Sequence, residues 1–385
     1  MRVRVAAVLV LCLTLVRLAP AQSAWLSAPE TIAPGIEYFT STDRSIVENN
    51  GPIAMYFLKL DARRVRLTDT MAKGGVLGMD TVDVIANKHN AIAAINGSFF
   101  NRTNGEPAGT LKINGELISD YPLIRGTMLI VSPPTGKTTL EFEQLNVSMA
   151  LSFSVGARTY RLPIDGVDTT RERGKLMLFT PMYGVTTDTA PTGTEWVLDG
   201  QPLHVVSVAR QRGHSAIPRR GAVLSFGGVD LPPAMAALTA DITVKLETVW
   251  TTLNGMTKAH LDEASSVLNG AGLIRLRGKT MTNWESGEGL NPDTFINMRH
   301  PRTLIGVEND GTIWMGAIDG RQPDHSIGMT LPDLARLAER LKLRDALNLD
   351  GGGSTTMVVK GKIVNKPSDP TGPRPVSDAV LVTLR

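Results

Sequence analysis

Leu347-Asn348-Leu349-Asp350-Gly351-Gly352-Gly353-Ser354-Thr355-Thr356-Met357-Val358-Val359 is the stretch on which the fold turns. An apolar strand runs up to Asp350, three glycines and three hydroxyl residues follow, and the chain then resumes as strand. Glycine accepts positive φ and lets a neighbouring backbone or ligand come close. Apolar strand on both sides argues against a flexible Gly/Ser linker. A Walker-type nucleotide loop is excluded, because the Lys-Ser/Thr pair and the helix after it are missing. Successive backbone N–H groups in such a turn can converge on an anion. In that reading Gly351, Gly352, Gly353 and the hydroxyls of Ser354, Thr355 and Thr356 cradle the anion, and Asp350 places a carboxylate at the rim. A strand-to-strand turn whose glycines serve geometry alone fits the same residues.

Working outward, strand-like runs dominate: Ile53 to Leu60, Val65 to Leu67, Ala91 to Ile95, Met128 to Val131, Ala222 to Phe226, Ile242 to Trp250, Leu304 to Val307, Ile313 to Ile318 and Ala379 to Thr383. Each is rich in β-branched or apolar residues and bounded by turn formers. Helical pattern is scarcer. Leu334, Leu337, Ala338 and Leu341 recur at helical spacing behind a Thr330 cap, with Asp333 three residues on, so a helix is expected over Leu331 to Leu341. A second is expected over Thr81 to Lys88. The expected class is α+β, strand-rich, with mixed β-sheets and a few covering helices. Motifs thin out between residues 138 and 251, which read either as a lobe inserted in one domain spanning 22–385 or as more of the same sheet.

Residues 1–21 read as a signal peptide: Arg2 and Arg4 precede an apolar run from Val5 to Val16, and Ala19-Pro20-Ala21 supplies the small-residue cleavage pattern. The run is too short for a permanent membrane span, so a secreted or periplasmic protein is expected. Cleavage there takes away Arg2, Arg4 and Arg17 and no acid, turning 40 basic against 37 acidic residues into an even balance. An even balance gives no electrostatic case for binding nucleic acid. Cys12 is the one cysteine and lies in the segment to be removed. Disulfides, thiolate catalysis and Cys-ligated metals are therefore not expected in the mature chain.

Other polar clusters sit at strand ends, where a sheet scaffold exposes residues for binding. Arg299-His300-Pro301-Arg302 leads into Leu304 to Val307, and guanidinium groups there suit a phosphate, Arg bidentately; a solvated basic turn is the plainer reading. Asp319-Gly320-Arg321-Gln322 ends Ile313 to Ile318, where Asp and Arg suit either an ion pair or a site. Asn96-Gly97-Ser98-Phe99-Phe100 follows Ala91 to Ile95, with Asn96 a turn residue or a sugar-binding amide. Asn365 to Asp369, with Arg374, forms a polar turn.

Taken together, Ala94 to Phe100, Arg299 to Val307, Asp319 to Leu331 and Leu349 to Met357 resemble the signature of the phosphodiester glycosidase family, collinear over roughly Tyr38 to Leu384. Ser98 departs from a glycine common at that place. The resemblance implies hydrolysis of the glycosyl–phosphate bond of a sugar-1-phosphodiester, releasing sugar and a phosphomonoester, with no cofactor. Carried onto this chain, it matches Asn96, Arg302, Asp319, Arg321, Asp350, Ser354 and Thr355 to the family's polar motif positions, and of these we take Asp350, Asp319 and Arg302 as catalytic candidates. The substrate-binding candidates are Asn96, Gly97, His300, Arg321, Gly351, Gly352, Gly353, Ser354, Thr355 and Asn365, and no metal ligand is named. Phosphate leaves readily, so an oxocarbenium-like sugar and the departing anion are the charges that need stabilising. Two alternatives remain. A non-catalytic polysaccharide-binding module of the cell envelope would use the same loops, with Trp25, Trp196, Trp250, Trp284 and Trp314 as stacking surfaces. A metal-dependent phosphodiesterase would need clustered histidines, and the six here are dispersed.

Overall fold

The strand Asp345–Asn348 enters the glycine turn from one sheet, and Met357–Val359 leaves it into another. The computed structural model describes residues 25–48, 50–228 and 230–385; the expected signal peptide lies outside them. The first sheet has eight strands in the order Glu30–Ala33, Ile36–Ser41, Met55–Leu60, Ile313–Ile318, Arg302–Val307, Asp345–Asn348, Leu273–Leu276 and Lys279–Thr280. The second has five: Lys362–Ile363, Met357–Val359, Ala93–Asn96, Asp378–Leu384 and Val65–Met71.

Period-two alternation decides what each face meets. Leu58, Ile305, Met315 and Leu347 of the first sheet pack on Leu67, Ile95, Met357 and Val380 of the second, forming the main core. Their sequence neighbours Phe57, Leu304, Trp314 and Ala346 turn the other way, onto Leu334, Leu337 and Ala338 of the helix Leu331–Arg340. On the far side Ala94, Val358, Ala379 and Leu381 bury Val82, Ile85 and Ala86 of the helix Val82–Lys88. Helix, sheet, sheet and helix thus stack in four layers. The longer helix starts as expected: Thr330 Oγ1 accepts the Asp333 N–H (3.1 Å), the Asp333 carboxylate accepts the Thr330 N–H (3.2 Å), and Pro332 occupies the first turn.

Two further sheets account for the motif-poor middle. The 17-residue strand Thr139–Val155 pairs with Tyr121–Val131, Arg158–Ile164 and Val244–Thr252. Gly166–Val167, Leu176–Phe179, Ala222–Phe226, Thr194–Asp199 and His204–Arg210 form a five-stranded sheet with its own core around Trp196, Leu198, Leu224 and Phe226. The expectation of mixed sheets needs correcting: every ladder between named strands is antiparallel except the two-residue pairing of Gly166–Val167 with Met177–Leu178. Short turns and few crossover helices leave parallel pairing no route.

Register brings the motifs together. Arg302 pairs with Ile318 and Leu304 with Asn348, so His300, Asp319 to Arg321 and Asp350 all emerge at one end of the first sheet. Met357 pairs with Ile95 and Ala379 with Asn96, which puts Asn96 to Ser98, Thr356 and Asp378 at the adjoining end of the second.

Candidate active site

Asp350 is half-buried where the first sheet ends. Its Oδ1 accepts the Gly351 N–H (2.8 Å), its own N–H bonds Gly97 O (3.2 Å), and its carbonyl accepts from Asn96 Nδ2 (2.7 Å). Burial pushes its carboxyl up to about 6, against the opposing pull of the Ser354 hydroxyl, the Gly351 N–H and Arg374, while Asp378 adds to the rise. A carboxyl titrating there exchanges its proton near neutral pH, as a general base or acid requires.

Two guanidinium groups close on the turn. Gly352 has φ +60°, a conformation that excludes most side chains, and a Cβ on it would lie 3.1 Å from both terminal nitrogens of Arg321. A Cβ on Gly353 would lie 2.2 Å from Arg374 Nη2 and from Asp369 Oδ1. Arg374 is held bidentately by Asp369 (2.8 and 2.9 Å). Arg321 instead donates to His300 Nδ1 (3.0 Å) and is exposed. His300 Nε2 lies 2.9 Å from Thr294 O, so Nε2 carries the proton and Nδ1 is left as acceptor. Burial and then Arg302 and Arg321 hold His300 below its ordinary range. A neutral imidazole orients Arg321 without cancelling its charge, which leaves that charge for an anion.

The other candidate residues are placed inward. Arg302, expected as a phosphate contact, is 1% exposed: Nε donates to Met329 O (2.9 Å), Nη2 to Phe295 O (2.7 Å) and Met298 O (3.2 Å), and the guanidinium stacks on Phe295 at 4.8 Å. Met329 O also accepts the His300 N–H (3.1 Å), whereas the Phe295 and Met298 carbonyls rely on this buried multiple donor. Arg299 is ion-paired with Asp333 in the helix cap. Asn96, expected as a substrate amide, is fully buried; besides Asp350 O it bonds Thr303 Oγ1 (2.8 Å) and the Thr356 N–H (3.1 Å). Asn365 is likewise a latch, donating to Asp319 Oδ1 and Thr355 O (3.0 Å each) and accepting the Met357 N–H (2.8 Å). Asp319 is 1% exposed and receives Asn365, the Lys366 N–H (3.1 Å) and His325 Nε2 (2.8 Å).

The expected cradle of backbone donors is also corrected. The Gly351 N–H is taken by Asp350 Oδ1, the Gly352 N–H by Pro301 O (2.9 Å) and the Ser354 N–H by Gly351 O (3.2 Å). Ser354 and Thr355 are buried under the turn. Most of the turn's N–H groups are thus engaged within the protein, and the glycines also serve close approach.

Sequence reasoning passed over Arg374 and Asp369 as a polar turn, took Phe99 as a packing residue, and missed Asp378 and Phe295. An acid directly ahead of the apolar run Ala379 to Thr383 is a signal that points to Asp378. Phe99 and Phe295 are half-buried with rings 6.2 Å apart, and Phe295 lies 6.4 Å from His300, so an aromatic wall borders the Arg321 side. Trp25, Trp196, Trp284 and Trp314 are core residues, and Trp250 is partly buried.

Residues 193–383 match the family model described as phosphodiester glycosidase. The SPbeta prophage-derived protein YomE of Bacillus subtilis is 37% identical over 93 residues, 24% of this chain and 13% of its own length. N-acetylglucosamine-1-phosphodiester alpha-N-acetylglucosaminidase of Mus musculus is 33% identical over 94 residues, 23% of this chain and 18% of that enzyme. The matched segments thus span less than a fifth of these curated relatives. Among solved structures, a hypothetical protein from Synechocystis superposes with a TM-score of 0.77 at 22% identity, covering 94% of this chain and 64% of that one. A Burkholderia pseudomallei protein whose name marks it as a candidate for export gives 0.72 at 22% identity, covering 86% and 74%. At those identities the likeness is one of fold.

Proposed function

We propose that this chain, whose residues 193–383 match the phosphodiester glycosidase family model, hydrolyses the glycosyl–phosphate bond of a sugar-1-phosphodiester. The observation that carries the reading is the pairing of Asp350, a carboxyl held near 6, with Arg321, a guanidinium oriented by a neutral His300 and packed on Gly352. Arg321 holds the phosphodiester and stabilises the charge that builds on the departing phosphate. Arg374, neutralised by Asp369, is a fixed wall of the turn and lends Asp350 a weaker field. Asp350 in its ionised form draws a proton from the attacking water while the sugar passes through an oxocarbenium-like state. Phe99 and Phe295 offer an apolar face to the sugar ring.

The test is release of a phosphomonoester from a panel of glycosyl phosphodiesters by wild type and Asp350→Asn. Turnover in the wild type and its loss by about 100-fold or more in the folded variant is expected. Equal turnover in both removes Asp350 from the chemistry. We also propose that the chain is exported, on the leader pattern of residues 1–21, and that 138–251 is a lobe inserted in the glycosidase domain, since much of it builds a sheet with a core of its own.

A further inference from the structure

Beneath the glycine turn lies a second pair of carboxyl groups that the proposed chemistry does not use. Asp378 opens the strand Asp378–Leu384 and is fully buried; Asp69, in the neighbouring strand Val65–Met71, is 2% exposed. Register pairs Asp378 with Met71 and Val380 with Asp69, so the two acids are diagonal neighbours on the inner face. Asp69 Oδ2 is buried with no hydrogen-bond partner, the state in which a carboxyl favours its protonated form. Burial and then the charge of Asp378 hold Asp69 well above the usual carboxylate range.

Asp378 directs its oxygens at the segment that grips Asp350. Its Oδ2 accepts the Ser98 N–H (2.9 Å), and its Oδ1 accepts Ser98 Oγ (2.8 Å) and Ser377 Oγ (2.7 Å). Its main-chain oxygen accepts the Gly97 N–H (3.1 Å). The approach is so close that a Cβ on Gly97 would sit 2.1 Å from Oδ2. Gly97 O in turn receives the Asp350 N–H, and Asn96 Nδ2 holds the Asp350 carbonyl. A continuous chain of contacts therefore runs from Asp69 through Asp378 and the Asn96 to Ser98 segment to both polar groups of the Asp350 main chain.

We propose that Asp378, backed by Asp69, is a positioning residue for Asp350: it seats the Gly97-Ser98 turn that fixes Asp350 and supplies a buried negative charge facing its carboxyl. The mechanistic half of this proposal rests on the hydrolytic reading above. Charged groups facing Asp350 come from three sides: Asp378 below, Arg374 with its partner Asp369 beside Gly353, and Arg321 over Gly352. Asp378 and Arg374 act in opposite senses on the Asp350 proton, so removing the first leaves the second unopposed.

The experiment is a carbon-13 carboxyl titration of Asp350 in folded wild type and Asp378→Asn, which needs no substrate. The Asp350 midpoint is expected to fall below its wild-type value of about 6 in the variant. A midpoint unmoved in folded Asp378→Asn overturns the proposal. If that variant does not fold, Ser98→Ala removes a donor and keeps the charge: kcat on a glycosyl phosphodiester should fall several-fold with KM held, and unchanged kcat overturns the positioning role. A wild type that cleaves no glycosyl phosphodiester refutes the hydrolytic reading instead, and the titration still decides the link between the carboxyls.

Discussion

Gly352→Ala tests the arrangement of the turn with a single methyl group. Gly352 sits at φ +60°, where an L-residue with a Cβ costs roughly 1–2 kcal/mol. That is a fall in melting temperature of roughly 2–8 °C for a domain of this general size. The added Cβ also lands 3.1 Å from both Arg321 terminal nitrogens and 3.3 Å from its Cζ. The backbone cannot yield there, because the Gly352 N–H is tied to Pro301 O at 2.9 Å, but the end of an arginine side chain can swing away. Displaced from His300, Arg321 loses its aim at the phosphodiester, and a charge-assisted contact is worth roughly 1.5–3 kcal/mol. KM for a glycosyl phosphodiester should therefore rise about 10- to 150-fold. Arg321→Ala should raise it as much, and the double variant little further, because both changes remove one contact. Melting curves and steady-state kinetics on the same preparation give both quantities. A destabilised Gly352→Ala with normal KM would refute Arg321 as the anion contact.

Three further outcomes are expected. Asp350→Asn should abolish the rise of wild-type activity with pH through about 6; because burial raises the folded carboxyl above its unfolded value, wild-type stability falls as pH climbs from the usual carboxylate range to about 6, and the variant should lack that fall in denaturant titrations. Arg302→Ala should cost roughly 3 kcal/mol of stability, seen as loss of folded yield, because the carbonyls of Phe295 and Met298 lose their buried donor; normal stability with raised KM would restore Arg302 as a substrate contact. Asp69→Asn, which mimics a protonated Asp69, should gain stability relative to wild type as pH rises above the usual carboxylate range, since the wild type must there hold a proton that its unfolded chain gives up; a difference flat with pH refutes the protonated Asp69.

Much of the layered body was legible in the sequence because its elements obey one period each. Ala222–Phe226 and Ile313–Ile318 run between the residues where their composition changes, and the helix Leu331–Arg340 begins at its capping box. The long strand Thr139–Val155 was not legible. It alternates buried and exposed positions only in part, since both of its faces meet protein over Phe142 to Leu145, and one of its partners, Val244–Thr252, lies far away in sequence. The parallel pairing expected of mixed sheets failed because strand composition carries no record of direction.

At the site, the motif residues were found and their orientations were not. A strand end exposes alternate side chains, and one step of register separates a solvent-facing guanidinium from one aimed into the core. Arg302 is the first residue of its strand and turns inward, whereas Arg321 stands at φ +59° in the turn beyond the partner strand and turns outward over Gly352. Nothing in the two local sequences distinguishes them. The same holds for Asn96 and Asp350, one a fully engaged amide and the other a half-buried carboxyl, both directly after apolar strands. The motifs therefore combine two kinds of residue. Asn96, Arg302, Asp319 and Asn365 hold turns from different sheets in register through buried hydrogen bonds. That scaffold leaves the Asp350 carboxyl, Arg321 and His300 as the groups placed to meet a ligand, each fixed by a partner that does not neutralise it.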